Sequence, residues 1–332
     1  MSNTFVMGCA SVALSLAGAA AHGEPSSRAA VYLDHALSLM ETHALHRDTL
    51  DFGEIRARAF ALAQDARTTQ ETWPAVRAAL ASLGDNHSAL LTPDQGPHPA
   101  SLEAIAYPPG ARTLPSGALI EDALAYLWIP GHAGGDHEAD AAFADALQTL
   151  IFKLASEAPC GWIVDLRENP GGNMWPMLAG LEPLIGDGRV GAFKPPTGAP
   201  THWWVDDGAA GSGDAAQAAS RYAVTIEGPR PVVAVLTGPT TASSGEAVAV
   251  AFRGRPDARS FGEPTFGVST GNRGFRLDDG ALMFVTASRF ADRDGQVYGG
   301  KVVPDEAVVA ERALPAAATW LQAHARCRTM RR

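Results

Sequence analysis

Apolar side chains recur at helical spacing along the first part of the chain. In the stretch AAVYLDHALSLMETHAL, the positions Val31, Leu33 and Leu37 lie near one face of a helix. The stretches FGEIRARAFALAQDA and TTQETWPAVRAALASLG repeat this character. The pattern predicts a small helical N-terminal region over residues 24–84.

A different pattern begins near residue 123, where short apolar runs alternate with longer amphipathic stretches. ALAYLWIPG, GWIVDLR and RPVVAVLTG predict buried strands, whereas DHEADAAFADALQTLIFKLASEA, MWPMLAGLEPLIG and EAVAVAFRG predict helices. Strands that alternate with helices predict an α/β core with repeated β-α crossovers and mostly parallel strands. We assign this core to residues 85–332.

Several segments fall outside that alternation. Residues 274–295 predict a β-hairpin with Asp279-Gly280 at its turn. The segments 93–118 and 195–220 are rich in proline, glycine and small residues and predict loops. The stretch PAAATWLQAHARC predicts a C-terminal helix.

Composition narrows the classes of partner. The chain has 332 residues, a hydrophobic content of 46% and a formal net charge of −10. An acidic, lysine-poor chain argues against nucleic acid as a partner and fits a cationic substrate. His43/His46 and His132/His137 lack an HExxH context, so we predict surface or loop roles for them, with no metal and no cofactor.

The N-terminus resembles an export signal. An apolar stretch runs from Phe5 to about Ala21 and ends in small residues. We therefore assign residues 1–23 to a signal peptide cleaved near Ala21 or Gly23, and expect a periplasmic or secreted protein. No later segment is long and apolar enough to span a bilayer. Peripheral membrane association and the oligomeric state stay open.

The cysteines carry little chemistry of their own. The three are Cys9, Cys160 and Cys327, and the absence of CxxC excludes zinc ribbons and redox motifs. A Cys160–Cys327 disulfide is open to an exported protein, but two buried free thiols are the favoured interpretation.

Three segments together suggest a hydrolase: TASSGE, DLRENPGGN and LGDNHSALL. The first lies between a predicted strand and a predicted helix, so helix N-terminal N–H groups face its serines. The second places glycines after a strand, where main-chain N–H groups are accessible. The third supplies a histidine. A serine hydrolase needs a nucleophile, a base and donors to the oxyanion.

These segments, with GEPTFG and YGGKVVPD, resemble the C-terminal processing (tail-specific) peptidase family. GDNHS, GGNMWPMLAGL and FGEPTFGVST are similar to its nisin resistance protein branch. The resemblance covers most of residues 80–306. It implies a crotonase/ClpP-like β-α core and a serine peptidase that cleaves peptides near the C-terminus, including antimicrobial, lantibiotic-like peptides.

The resemblance also assigns the catalytic pair. Common members pair their serine with a lysine in a motif like TFGKG, but here the segment is TFGVS and Val268 stands at that position. The nisin resistance branch uses a Ser–His pair, which implies His87 as the general base. The nucleophile stands three residues before Glu246 in this motif, which implies Ser243. Imidazole suits the role because it titrates near neutral pH.

The oxyanion donors follow from the same register. The main-chain N–H of Ser244 is the first donor implied. Gly171 or Gly172 supplies the second, and Gly171 is the preferred choice. Glu246 resembles a family residue that sets the geometry of the site, although a first-turn glutamate also complements a helix dipole.

The group that orients the imidazole is left open by the sequence. Asp85, Ser88 and Glu246 are all candidates. Of the three lysines, Lys153 lies in a predicted helix and Lys194 in a predicted loop, and Lys301 is interpreted as a surface lysine, so a Ser–Lys dyad is disfavoured.

The space for a PDZ domain is missing. Such a domain needs roughly 80–100 residues, whereas only about 25 separate HSALLTP from ALAYLWIP. A peptide substrate must then bind in a cleft of the core, for which Asn169, Asn173 and Trp175 are candidates. For Trp175, packing in the core is an equal alternative.

Two other functions compete with the peptidase. A non-catalytic ligand- or peptide-binding relative is the main alternative, since retinoid-binding proteins of similar fold exist. An acyl-CoA enzyme of the crotonase type ranks last, because no feature of the sequence requires CoA.

Overall fold

The computed structural model describes residues 24–93, 113–121, 123–134, 136–324 and 327–328. The predicted signal peptide, most of the predicted 93–118 loop and the extreme C-terminus lie outside these residues. Within them, every helix is too short or too polar to traverse a bilayer.

The region predicted to be helical contains three helices. They are α1 (Ser27–His43), α2 (Phe52–Leu62) and α3 (Trp73–Ala81), with 3-10 turns at Arg47–Thr49 and Gln70–Thr72. Ser26 and Asp51 cap α1 and α2, because each side chain accepts a main-chain N–H of the first turn. The buried helix faces pack on Leu277, Met283 and Val285 of the hairpin.

One sheet is antiparallel and begins directly after this region. Its strands are β1 (Ala89–Leu91), β5 (Gly188–Lys194), β6 (Thr201–Asp206), β7 (Ala209–Ser212), β8 (Ala215–Ala219), β11 (Thr270–Arg276) and β12 (Leu282–Asp292). The order is β1-β12-β5-β6-β7-β8, with β11 on the side of β12. The β11–β12 pair is the predicted hairpin, and the turn between them includes Asp279 and Gly280.

The prediction of a loop over 195–220 is wrong, because β6, β7 and β8 occupy most of it. Alanine, glycine and serine carry little intrinsic strand preference. Pairing across the sheet and burial of Trp203 and Val205, both 0% exposed, hold these strands in place.

The second sheet contains the predicted α/β alternation. Its strands are β2 (Ser116–Ile120), β3 (Leu124–Trp128), β4 (Gly161–Asp165), β9 (Val233–Thr237), β10 (Ala258–Gly262) and β13 (Glu306–Ala307). The order is β13-β10-β9-β4-β3-β2, and every pair except β2–β3 is parallel. The helices are α4 (His137–Ser156), α5 (Met174–Ile185), α6 (Ser244–Ala251) and α7 (Ala310–Ala323).

Alternation along the parallel strands divides the core. Trp162 and Val164 of β4 belong to the cluster that joins α4, α5 and α6 to the antiparallel sheet. Ile163 belongs to a separate cluster with α7. The parallel sheet is therefore covered on both faces, as such sheets require.

The interpretation of Cys160 and Cys327 as free thiols is wrong, since the structure joins them in a disulfide with Cα atoms 4.8 Å apart. Helix α7 packs on the face of the parallel sheet that bears Ile163. This packing carries the end of the chain back to the start of β4, 167 residues earlier.

Candidate active site

Ser243 occupies a strained turn between β9 and α6. Its backbone has φ 49° and ψ −113°, and α6 begins at the next residue. A non-glycine residue is uncommon at positive φ, and such strain persists only where the surroundings impose it. The turn presents the hydroxyl at the head of the helix, as in the nucleophile elbow of other hydrolases.

Glu246 fixes this turn from inside. The side chain is 0% exposed and accepts the N–H of Ser243 at 2.9 Å. It also accepts the Thr265 hydroxyl at 2.5 Å and the N–H groups of Gly267 and Val268 at 3.1 and 2.9 Å. Burial raises the pKa of Glu246, and these hydrogen bonds oppose the rise. The carboxylate thus ties the serine turn to the loop before β11.

His87 lies in the loop before β1 and meets the serine across the two sheets. Its Nε2 is 3.0 Å from Ser243 Oγ, and its Nδ1 is 2.7 Å from Thr270 Oγ1. Asn272 donates to the main-chain carbonyl of His87 at 3.1 Å, which fixes the loop to β11. The sequence did not identify Thr270 as a site residue, although Thr270 directly follows the segment TFGVS.

The surroundings keep the imidazole neutral. Burial lowers the pKa of His87 to about 4, and the negative charge of Asp85 acts in the opposite direction. A neutral ring carries one N–H. Assigning it to Nδ1 lets His87 donate to Thr270 and leaves Nε2 to accept from Ser243.

Asp85 shapes the turn rather than the ring. Its carboxylate accepts the N–H groups of His87 and Ser88 at 2.9 and 2.7 Å and the Ser88 hydroxyl at 2.7 Å. Glu246 is bound elsewhere. Of the three candidates for orienting the imidazole, none contacts Nδ1, and a threonine hydroxyl takes that place.

The glycine loop, residues 169–173, lies against the serine. A Cβ on Gly171 would fall 2.9 Å from the Ser243 Cβ, so only glycine fits there. However, the Gly171 N–H donates to Asn169 Oδ1 at 2.9 Å, which disfavours our preferred oxyanion donor. Gly172 is exposed, and its carbonyl accepts the Ser244 hydroxyl at 2.5 Å. Among the described residues, no partner accepts the N–H of Gly172 or of Ser244.

The three predicted cleft residues differ in position. Asn169 is 0% exposed and donates to the Pro130 carbonyl at 3.1 Å, so its prediction as a cleft residue is wrong. Asn173 caps α5 by accepting the Trp175 N–H at 3.1 Å. Trp175 is half-buried, with its ring edge-on to Phe193 at 6.2 Å. It combines packing in the core with an accessible face.

Lysine is absent from this arrangement. Val268 is 6% exposed, and its N–H is held by Glu246. Lys153 and Lys301 are exposed, and Lys194 approaches the Gly198 carbonyl at 3.5 Å. Within the described residues, no group of three or more His, Cys, Asp or Glu is placed to hold a metal ion.

A serine on a strained turn, an imidazole within hydrogen-bond reach and accessible main-chain N–H groups form the arrangement that acyl transfer requires. The model of peptidase family S41 matches residues 123–308, and the chain belongs to this family. It is therefore a peptidase of serine type by family.

Individual proteins extend the comparison. The chain is 27% identical to a nisin-resistance protein of Lactococcus lactis subsp. lactis over 292 residues, which are 88% of this chain and 86% of that one. It is similar in fold to a lipoprotein from Streptococcus agalactiae, with a TM-score of 0.73, 24% identity and coverage of 89% and 96%. A photosystem II D1 C-terminal processing protease shares the fold with a TM-score of 0.58, 17% identity and coverage of 90% and 98%.

Proposed function

We propose that the protein is an exported serine endopeptidase that cleaves peptides near the C-terminus, with Ser243 as nucleophile and His87 as general base. The observation that carries the proposal is the 3.0 Å separation of Ser243 Oγ and His87 Nε2 on a strained strand–helix turn. Membership of family S41 supports hydrolysis of a peptide bond.

The first half of the reaction forms an acyl-enzyme. Ser243 Oγ attacks the scissile carbonyl carbon as its proton passes to His87 Nε2. The carbonyl oxygen becomes an oxyanion, which accepts hydrogen bonds from the N–H groups of Ser244 and Gly172. When the tetrahedral intermediate collapses, Nε2 returns the proton to the leaving amine and the C–N bond breaks.

The second half repeats these roles with water. Nε2 takes a proton from the attacking water, and the same two N–H groups receive the second oxyanion. Collapse then breaks the ester bond and returns the proton to Ser243 Oγ. The enzyme is restored and the acyl fragment leaves as a free carboxylate.

Stabilisation of the transient imidazolium is modest in this site. Thr270 Oγ1 accepts the Nδ1 proton at 2.7 Å but carries no charge. Asp85 contributes through its negative charge, which raises the pKa of His87 against the larger effect of burial. The site therefore favours a neutral resting base over a strongly stabilised cation.

The substrates proposed are short cationic peptides of the lantibiotic type. The net charge of −10 attracts such peptides at low ionic strength. A relative over 88% of this chain is named a nisin-resistance protein. In this proposal the core itself holds an extended segment of the peptide, and the Trp175 ring is a candidate wall of the cleft.

Labelling with a serine-directed fluorophosphonate tests the nucleophile. Wild-type protein should be labelled, Ser243→Ala should not, and the matched control Ser244→Ala should retain labelling because alanine keeps the main-chain N–H. An unlabelled wild-type protein would favour the non-catalytic binding relative. Labelling that depends on Ser244 alone would reject the assignment.

Digestion of peptide sets tests the substrate class. Mass spectrometry should show cleavage of short cationic peptides near free C-termini, and slower cleavage of their amidated and acidic counterparts. Efficient internal cleavage of folded or long unfolded proteins, without turnover of the short peptides, would contradict the proposal and indicate general tail processing.

Export is tested by the mature N-terminus. Sequencing of the native protein should begin near His22 or Glu24, in a fraction outside the cytoplasm. The Cys160–Cys327 disulfide supports export, because such bonds persist mainly in oxidising compartments. An intact Met1 on the native protein would argue against it.

A further inference from the structure

A histidine–carboxylate pair lies behind the glycine loop. His132 Nε2 is 2.7 Å from Asp140 Oδ1, and the two side chains are only 13% and 11% exposed. The His132 ring packs on Phe143 with centroids 4.6 Å apart. His132 thus lies in the loop between β3 and α4, as predicted, but its side chain is largely buried, whereas His137 is exposed.

The main chain of His132 is paired with both ends of the Gly172 segment. Its N–H donates to the Gly171 carbonyl at 3.1 Å, and its carbonyl accepts the Asn173 N–H at 2.5 Å. A Cβ on Gly172 would fall 2.0 Å from the His132 carbonyl oxygen, so the close approach requires glycine. Gly172 is thus held between two main-chain hydrogen bonds.

Asp140 connects His132 and Asn173 through their side chains. We call this set of hydrogen bonds around Gly172 the bracket. The second carboxylate oxygen of Asp140 accepts the Asn173 amide at 3.0 Å, while the first contacts His132. The buried Asp140 carboxylate on α4 therefore binds the side chains of His132, whose main chain packs on Gly172, and of Asn173, which follows Gly172 in the chain.

We propose that Asp140 is a positioning residue that acts through His132 and Asn173 to aim the Gly172 N–H at the oxyanion. This inference rests on the proposed peptidase function. Gly171 and Gly172 have φ values of 109° and 112°, and consecutive glycines adopt many conformations unless they are held. Oxyanion donors act only when preorganised. Because the oxyanion exists only in the reaction, loosening the bracket lowers kcat rather than raising KM.

The test compares Asp140→Ala with Asp145→Ala, measured on a short cationic peptide that the wild type cleaves. Asp145 is a matched control, since it is on the same helix and is equally buried at 8%. Its carboxylate binds Ser220 and Arg221 rather than residues of the glycine loop. Asp140→Ala should lower kcat by about 10- to 100-fold with KM within about threefold, and the control by less than about threefold.

Two further measurements separate positioning from general damage. Asp140→Asn keeps an acceptor for the Asn173 amide and should restore most of the lost kcat. The inhibition constant of a peptidyl boronic acid, which forms a tetrahedral adduct, should rise in parallel with the loss of kcat/KM. If Asp140→Ala does not fold, Asn173→Ala breaks the same link, and its kcat should fall with little change in KM.

Failure of the positioning role and failure of the proposed peptidase function give different experimental results. Equal losses in Asp140→Ala and Asp145→Ala, or a rise in KM at constant kcat, would overturn the positioning role while wild-type labelling of Ser243 stands. A wild-type protein that neither reacts with fluorophosphonate nor cleaves peptides would reject the peptidase proposal itself.

Discussion

Ser243 and the glycine loop are carried by the parallel sheet, whereas His87 and Thr270 are carried by the antiparallel sheet. On the parallel side, each group follows the end of a strand within a few residues. On the antiparallel side, the imidazole and the hydroxyl that contacts it are 183 residues apart in sequence. On the parallel side each group is formed within a short segment, and the pairing of β4 with β9 brings the two groups together across 72 residues. On the antiparallel side even the contact between the imidazole and its hydroxyl partner requires distant strands to pair.

The two sides also differ in electrostatics. Glu246, a buried carboxylate, holds the serine turn with several hydrogen bonds. The imidazole nitrogens contact two neutral hydroxyls, and burial lowers the pKa of His87 more than the charge of Asp85 raises it. The serine side is thus fixed by hydrogen bonds to a buried carboxylate, whereas the half-buried imidazole has hydroxyl partners and a pKa that burial lowers.

The largest loss of activity should come from removing the contact between Ser243 on the parallel sheet and His87 on the antiparallel sheet. His87→Ala should lower kcat/KM by about 10³- to 10⁶-fold, and the double variant with Ser243→Ala should be hardly worse than either alone. Steady-state kinetics checks this. Lys301→Met is the control, because Lys301 is exposed and should be dispensable. An active His87→Ala with an inactive Lys301→Met would contradict the Ser–His pair.

A smaller loss is expected within the histidine side. Thr270→Val keeps the shape of the side chain and removes the acceptor of the Nδ1 proton, so kcat should fall by about 10- to 100-fold. Thr201→Val, an exposed threonine of the same sheet, should be neutral. Equal kcat for Thr270→Val and wild type would show that Thr270 does not orient the ring.

The pH profile should be flatter than histidine chemistry usually gives. Since the pKa of His87 is lowered to about 4, the base stays neutral well below its ordinary range near 6.5. We expect kcat/KM at pH 5.5 to stay within about twofold of its value at pH 7.5. A fall in kcat/KM with a midpoint near pH 6.5 would show that the imidazole is solvated and has its ordinary pKa.

The same shift fixes the direction of the contribution of His87 to stability. A lowered folded pKa means that the unfolded chain binds the proton first. This contribution is therefore complete above about pH 6.5 and is lost as the pH falls towards 4.

The smallest effect on turnover should come from the disulfide on the far face of the parallel sheet. Changing Cys160 and Cys327 to serine should lower the free energy of unfolding by about 2–5 kcal/mol, because a long loop is released. Turnover at 25 °C should change by less than about twofold. Denaturant titration checks the first value and kinetics the second. A large loss of kcat would show that the face of the parallel sheet joined by the disulfide is coupled to the Ser243 turn.

The local patterns predicted the parallel sheet closely. Continuous apolar runs such as WIV at 162–164 are typical of buried parallel strands, and the structure places β4 there. The strand–turn–helix around Ser243 and the glycines after β4 were predicted for the same reason, because each is encoded within a short segment.

Tertiary structure alone decided the rest. β7 and β8 consist largely of alanine and other small residues, which give no pattern, and they form through pairing with their neighbours and burial of Trp203 and Val205 on β6. The contact of Thr270 with His87 depends on the register of β1, β11 and β12. The commitment of the Gly171 N–H to Asn169, the bracket around Gly172 and the Cys160–Cys327 bond likewise follow from how segments pack. A sequence specifies which residues can perform chemistry, but the distances and hydrogen-bond partners that select among them arise when distant segments are folded against each other.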